Sequence, residues 1–157
     1  MSILVRRATK ADAEAISRLN ADVQAVHAAA LPGWFKPPSA STFPPAEAAE
    51  LIEDPDCLVF LAELGSVPAG YAYAEVIRRP EERWREAFEM VYLEHISVRP
   101  EFRRKGVGAA LIDAWRAAAA ELGITLLGLD VWSFNEEAGR FFRRHGFTAY
   151  NERLWNR

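Results

Sequence analysis

The chain is expected to fold as an α/β (α+β) protein, a mixed sheet with helices on both faces, and three observations predict this. The runs CLVFLAEL (Cys57–Leu64), AGYAYAEVI (Ala69–Ile77) and MVYLEHISV (Met90–Val98) have strand length and are rich in β-branched and aromatic residues. From Gly106 to Leu122 an alanine-rich stretch carries Val107, Leu111, Ala114, Trp115, Ala118 and Leu122 at helical spacing, with Gly123 as its stop. Strand and helix patterns then alternate to the end of the chain, the order of a layered sheet rather than of a bundle. With 157 residues, half of them apolar, one domain over residues 1–157 is expected.

Each element has its own signal. ILVRRAT reads as a first strand, and Thr9 opens a helix whose apolar face is Ala15, Ile16, Leu19, Val23 and Val26. Leu31-Pro32-Gly33 ends it, and Trp34 to Pro45 is a proline-rich connection. Ala46 to Ile52 reads as a second helix before the breaker Asp54-Pro55-Asp56. Gly65-Ser66-Val67-Pro68 joins its two flanking strands as a hairpin. Arg78 to Glu89 is a charged insertion ahead of the strand that ends at Val98. Ile124 to Val131 is almost continuously apolar, as for a strand buried on both faces at the sheet centre. Asn135 to His145 is a short helix stopped by Gly146, and Phe147 to Trp155 reads as a last strand. Trp115 and Trp132 are expected in the core, His27 on the surface of the first helix.

Charge and cysteine usage narrow the chemistry. The formal net charge of -3 argues against a broad grip on nucleic acid, so the local arginine clusters suit a smaller anion. Cys57 is the only cysteine, which excludes an internal disulfide and a multi-cysteine metal site, and no metal is expected. It lies in an apolar run, as a buried strand residue does. No run of 18 apolar residues is present and the N-terminus lacks a signal-peptide pattern, so no membrane contact is expected and the expected address is cytoplasmic.

The segment FRRKGVGAAL, Phe102 to Leu111, asks what it holds. A Walker phosphate loop needs Lys and Ser or Thr after its last glycine, and Ala109-Ala110 stand there instead. A dinucleotide fingerprint needs a third glycine, and Leu111 occupies that place. What remains is a basic turn running into a glycine-opened helix, whose free N–H groups and positive dipole end suit a pyrophosphate. The pattern R-x-x-G-x-G, as Arg103-Arg104-Lys105-Gly106-Val107-Gly108 after the strand ending in Val98, resembles the acetyl-CoA motif of the GNAT N-acetyltransferase superfamily. Asn135-x-x-Ala138-x-x-Phe141-Phe142-x-x-x-Gly146-Phe147 resembles a second motif of that family in the expected order. The motifs cover the second half of the chain; the element order extends the resemblance over nearly all of it.

The resemblance implies a mostly antiparallel sheet of six to seven strands and an acetyl-CoA-dependent transfer to a primary amine. It places the pyrophosphate of coenzyme A on the backbone of Arg103, Arg104, Lys105, Gly106, Val107, Gly108 and Ala109. It lays the pantetheine arm along Ile96, Ser97 and Val98, with the acetyl carbonyl on the amide near Ile96. Asn135 matches a pantetheine-binding position and is equally a helix N-cap; Ala138 and Phe142 match cofactor-contacting positions. The family's tyrosine, which protonates the departing thiolate, falls at Phe142, which has no hydroxyl. A thiol of pKa about 8.5 leaves tolerably without an acid, and Tyr150 or water are alternative donors. This departure also motivates a second reading, a CoA-binding module with little catalysis.

The acceptor side needs a neutral nucleophile, whereas an alkyl amine of pKa about 10.4 is almost wholly protonated at pH 7. Glu94 and His95 are the candidate bases, and strict strand alternation would turn only one of them toward the acceptor. Trp34, Phe35 and Trp84 fall in segments that border the acceptor cleft in proteins of this fold, and Tyr73 shares a strand face with Tyr71. Aromatic walls there would exclude water or stack on a cation, and plain core packing is the other account of each. The expected partner is a small-molecule or peptide amine, and pairing as a homodimer is common among such folds.

Overall fold

The structure, a computed structural model, describes residues 2–157. Its order is β1 (Ile3–Arg7), α1 (Ala13–Ala30), α2 (Pro45–Glu53), β2 (Cys57–Leu64), β3 (Val67–Arg79), β4 (Phe88–Val98), α3 (Val107–Glu121), β5 (Leu127–Leu129) and α4 (Glu136–Arg144). The strands form one sheet in the order β1-β2-β3-β4-β5, antiparallel except for the parallel β4–β5 pair. Alternation along β2 and β3 divides two cores. Leu58, Phe60, Ala62, Ala72, Ala74 and Val76 face α3, where Leu111, Ile112 and Trp115 are fully buried. Cys57, Val59, Leu61, Tyr71 and Tyr73 face α1 and α2, where they meet Ile16, Leu19, Phe43 and Ala48. The mixed sheet with helices on both faces is therefore as expected.

Local chemistry accounts for the joints. Gly65 and Ser66 both take positive φ (57° and 69°), the backbone of a two-residue hairpin turn that follows the strand twist. The Thr9 amide donates to the Asp12 carboxylate at 2.7 Å, which ties down the entry to α1. That carboxylate also takes both terminal nitrogens of Arg6, at 2.8 and 2.9 Å, and the ion pair holds it near pH 2.

Several expectations change. The sheet has five strands among the described residues rather than six or seven. Phe147 to Trp155 is not a strand: Phe147 stacks on Trp115 (5.5 Å, 4°) and the chain beyond it is exposed. The polar residues Thr148, Asn151, Glu152 and Arg153 give it no face to bury, and β5 is too short to offer much edge. The apolar run Ile124–Val131 narrows to Leu127–Leu129 at the edge of the sheet, leaving Leu126 and Val131 exposed. Trp132 is 37% exposed rather than core, because the chain has left the sheet before reaching it. His27 is half-buried against Phe35 (5.0 Å) and Phe134 (5.9 Å), not a surface residue. Among the described residues no helix is long and apolar enough to cross a membrane.

Candidate active site

The site begins with a fault in one strand pair. β3 and β4 run in register down to Ala74 opposite Leu93, but the next residue of β3, Tyr73, lies opposite His95. Glu94 is the extra residue, so β4 carries a bulge there. The β4–β5 ladder ends at the same level, at Leu93 opposite Leu129. From Glu94 to Val98 the β5-side edge of β4 is therefore open. The Val91 amide donates toward β5, to the Leu126 carbonyl (3.0 Å), and the Arg99 amide donates toward β3, to Ala69 (2.9 Å). Alternation between these fixed points turns the amides of Ile96 and Val98 onto the open edge.

The bulge also overturns the expectation that Glu94 and His95 point apart. Leu93 and Ile96 both pack into the α3-side core, so the alternation skips a residue between them. His95 lies on the α1 face, within 5.2 Å of the rings of Phe43 and Tyr73 and 6.1 Å of Tyr71. Glu94 is on that face too, close enough to Glu75, two residues beyond Tyr73, to feel its charge. Partial desolvation first, then Glu75 and Asp130, hold the Glu94 carboxyl above its usual range. It is solvent-accessible and makes no ion pair. A carboxylate so placed can take a proton and attract a cation.

His95 is held differently. Its Nδ1 lies 3.0 Å from the Tyr71 hydroxyl, which accepts from the Asn20 amide at 2.8 Å. Burial, and secondarily the charge of His27, lower its pKa to about 4. The sign of the consequence follows from linkage. Folded His95 stays neutral where an unfolded histidine would protonate, so the unfolded state binds more protons between pH 6.5 and about 4. Stability is full above pH 6.5 and is lost as pH falls through that window, by about 2 kcal/mol at one pKa unit per 1.36 kcal/mol with a discount for partial exposure. Asp12, held near 2, adds loss in the same direction below pH 3.8. Tyr71 and Tyr73 also face His95, and burial raises both phenols, so neither competes in this range, whereas His27, lowered by its own burial, adds loss in the same direction. Urea unfolding at pH 7 and pH 4.5 should show the fall, and His95→Gln should flatten the part above pH 5.

At the far end of β4 the chain makes a 3-10 turn, Pro100–Phe102, and enters α3 through Arg104 (φ 58°) and Gly106 (φ 88°). A side chain at Gly106 would meet only Ile3, at 3.5 Å, so glycine is there for its backbone conformation. Gly108 serves packing as well, since a Cβ on it would press on the Phe141 ring at 3.1 Å. The first α3 amide with a main-chain partner is that of Ala110, bonded to Gly106 (3.0 Å). The amides from Arg104 through Val107 and Gly108 to Ala109 have none among the described residues, which is the cradle a diphosphate needs.

The other expected residues fall as follows. Ile96 and Val98 turn their side chains into the core, and the buried Ser97 donates to the Leu19 carbonyl at 2.8 Å, so this stretch offers its main chain. Arg103 Nε donates to the Val98 carbonyl (3.1 Å), whereas Arg104 lies 3.9 Å from Glu137 and Lys105 lies over Phe102. Asn135 is the N-cap of α4, accepting from the Ala138 amide at 3.2 Å, which leaves its NH2 group free. Ala138 packs on the α3-side core, and Phe142, 6% exposed, is a member of it. Trp34 and Phe35 join His27, Trp132, Phe134 and Trp155 in one aromatic cluster beyond α1, 55% of Trp34 remaining exposed. Trp84 is not brought to Glu94: it lies at the tip of the β3–β4 hairpin, 75% exposed and stacked on Arg85. Seven residues of β4 separate His95 from the strand's start, roughly 20 Å at ~3.3 Å per residue. Sequence reasoning missed Asn20, Glu75 and Asp130. Asn20 had a signal, a polar residue one helical turn after Ile16 on the apolar face of α1.

Comparisons with known proteins give the family and the fold. The profile of the acetyltransferase (GNAT) family matches residues 23–147. A curated protein of Lactobacillus delbrueckii subsp. lactis, an uncharacterized N-acetyltransferase in the pepI 3'region, is 30% identical over 63 residues, 40% of this chain and 36% of that protein. The chain thus matches about a third of that relative's length. A tetramutant of the BH1408 protein of Bacillus halodurans has the same fold (TM-score 0.93, 20% identity, 98% of this chain and 99% of that one). So does AAC(6')-Iy bound to the bisubstrate analog CoA-S-monomethyl-acetylneamine (TM-score 0.74, 23% identity, 100% and 98%). With a bulged strand parting from its neighbour, a glycine-opened helix beneath it and a profile match over most of its length, this chain belongs to the GNAT acetyltransferase family.

Proposed function

We propose that residues 1–157 form one acetyltransferase domain that binds acetyl-CoA and passes the acetyl group directly to a primary amine. The observation that carries this reading is that β4 loses its β5 neighbour beyond Leu93, which frees the Ile96 and Val98 amides by alternation, while the amides from Arg104 to Ala109, where α3 begins, have no main-chain partner. Bound there, acetyl-CoA supplies an activated acetyl thioester. The Arg104–Ala109 amides hold its diphosphate, with the helix dipole of α3 behind them. The amides of Ile96 and Val98 hold the pantetheine arm as an added strand would be held, that of Ile96 donating to the acetyl carbonyl. The free NH2 of Asn135 borders the same arm.

Glu94 takes the proton of the incoming ammonium, directly or through water, and its elevated pKa brings it nearer the operating pH. Glu75 and Asp130 add negative charge on that side and draw the cation in. Cys57 takes no part, since it is buried with its thiol pushed up by burial. With Phe142 in the core, the departing thiolate relies on its own modest basicity or on water. The fold shared with AAC(6')-Iy supports a small-molecule amine as acceptor.

Calorimetry with coenzyme A should give saturable binding, and an acceptor screen by mass shift with acetyl-CoA should find amines that gain an acetyl group. No heat with coenzyme A would overturn the cofactor assignment. Binding without transfer to any amine would favour the CoA-binding module, which the missing hydroxyl at Phe142 makes the second reading.

A further inference from the structure

We propose that Asn20 and Tyr71 are positioning residues that lock His95 as a neutral Nε2–H donor facing solvent beside Glu94, where it meets an oxygen lone pair of the acceptor. The lock follows from counting protons. The Tyr71 hydroxyl has one hydrogen and two polar neighbours, the Asn20 amide at 2.8 Å and His95 Nδ1 at 3.0 Å. The amide is a donor, so the hydroxyl accepts from it, and because Tyr71 is fully buried with no other polar neighbour, its own hydrogen escapes being orphaned only by going to Nδ1. Nδ1 is then an acceptor, and the ring's single proton sits on Nε2. Tyr71 is 0% exposed and Asn20 7%, so water does not compete for these bonds.

The free end of the ring faces outward. Nε2 has no hydrogen-bond partner within the protein, yet it is not among the buried unpaired polar atoms, which are those of Arg85 and Trp115. It therefore reaches solvent on the face that also carries Glu94. A neutral Nε2–H can donate but has no lone pair to offer, so it is not the base. Proton acceptance then falls to Glu94 and hydrogen donation to His95. An amine with a nearby hydroxyl, ether or carbonyl oxygen satisfies both groups, and a bare alkyl amine satisfies only one. The buried chain from α1 through β3 to β4 thus acts on the acceptor without touching it. This selection rests on the transfer reading above, whereas the tautomer does not.

Nitrogen-15 NMR of the His95 ring tests the lock in the intact protein without any turnover. The chain has three histidines, and His95→Gln assigns the resonance. A pyridine-type Nδ1 and a protonated Nε2, unchanged from pH 8 to pH 5, are expected. Tyr71→Phe keeps the buried ring and should give mixed tautomers, and Asn20→Leu should do so more weakly. Protonation on Nδ1 in the unaltered protein, or an unchanged tautomer in both variants, would overturn the proposal. The oxygen preference is read from the Nε2–H proton, which should shift on titration with 2-aminoethanol and stay put with propylamine at the same concentration. Equal response to both, or none to either, sinks the selection. A locked tautomer in a protein that acetylates no amine would count against the transfer reading alone.

Discussion

Glu94→Gln should lower kcat/KM for amine acetylation by about 10²–10⁴-fold, the range a positioned general base contributes. Glutamine keeps the size and a hydrogen-bonding oxygen, so what is lost is the ability to take a proton and the charge that draws the ammonium. The same substitution should not weaken the fold. The Glu94 carboxyl is raised in the folded protein, so folding is opposed wherever it must be ionised, and removing the charge relieves that opposition. Unfolding midpoints at pH 7 should therefore be equal or higher in the variant. The acidic limb of the kcat/KM profile, which rises as Glu94 deprotonates, should flatten as well. A rate within about threefold of the original would remove Glu94 from its assigned role, being too small for a general base.

Trp115→Ala should destabilise the protein by about 3–5 kcal/mol, the usual cost of emptying a large buried aromatic site. Trp115 is fully buried on α3, among the side chains of the sheet face and stacked on Phe147. Its indole N–H has no acceptor in the protein, which already costs free energy. Trp115→Phe removes that orphan donor while keeping most of the volume, so it should cost far less than the alanine variant. Chemical denaturation of the two variants gives the comparison. Equal losses would mean that the emptied volume is not what sets the cost.

Loss of Phe147 stacking in Trp115→Ala should also loosen the segment after α4. That segment is the part of the fold least legible in the chain. Phe147 to Trp155 has the aromatic content of a strand, but a strand needs a neighbouring edge, and β5 pairs over only three residues. Trp132 lies outside the core for the same reason, since burial depends on what lies opposite and not on the residue's own hydrophobicity. The hairpin at Gly65-Ser66, the stop of α1 before Pro32 and the run of α3 from Val107 to Glu121 were legible because each is set by local backbone chemistry.

The candidate site divides along the same line. The order Arg103 to Gly108 and the Asn135 segment are local patterns, and they led to the free amides of the helix start and to an N-cap. Glu94 and His95 were identifiable as ionisable residues in an apolar strand. Their shared face was not, because a bulge appears only when two strands are paired. Asn20 lies 51 residues from Tyr71, and no spacing rule joins them. By itself the sequence determined the kinds of element, their order and the chemical groups on offer, since these depend on neighbours a few residues apart. The tertiary structure alone decided where β4 leaves β5, which side chains meet His95 and how its proton is held, because those depend on contacts between distant segments.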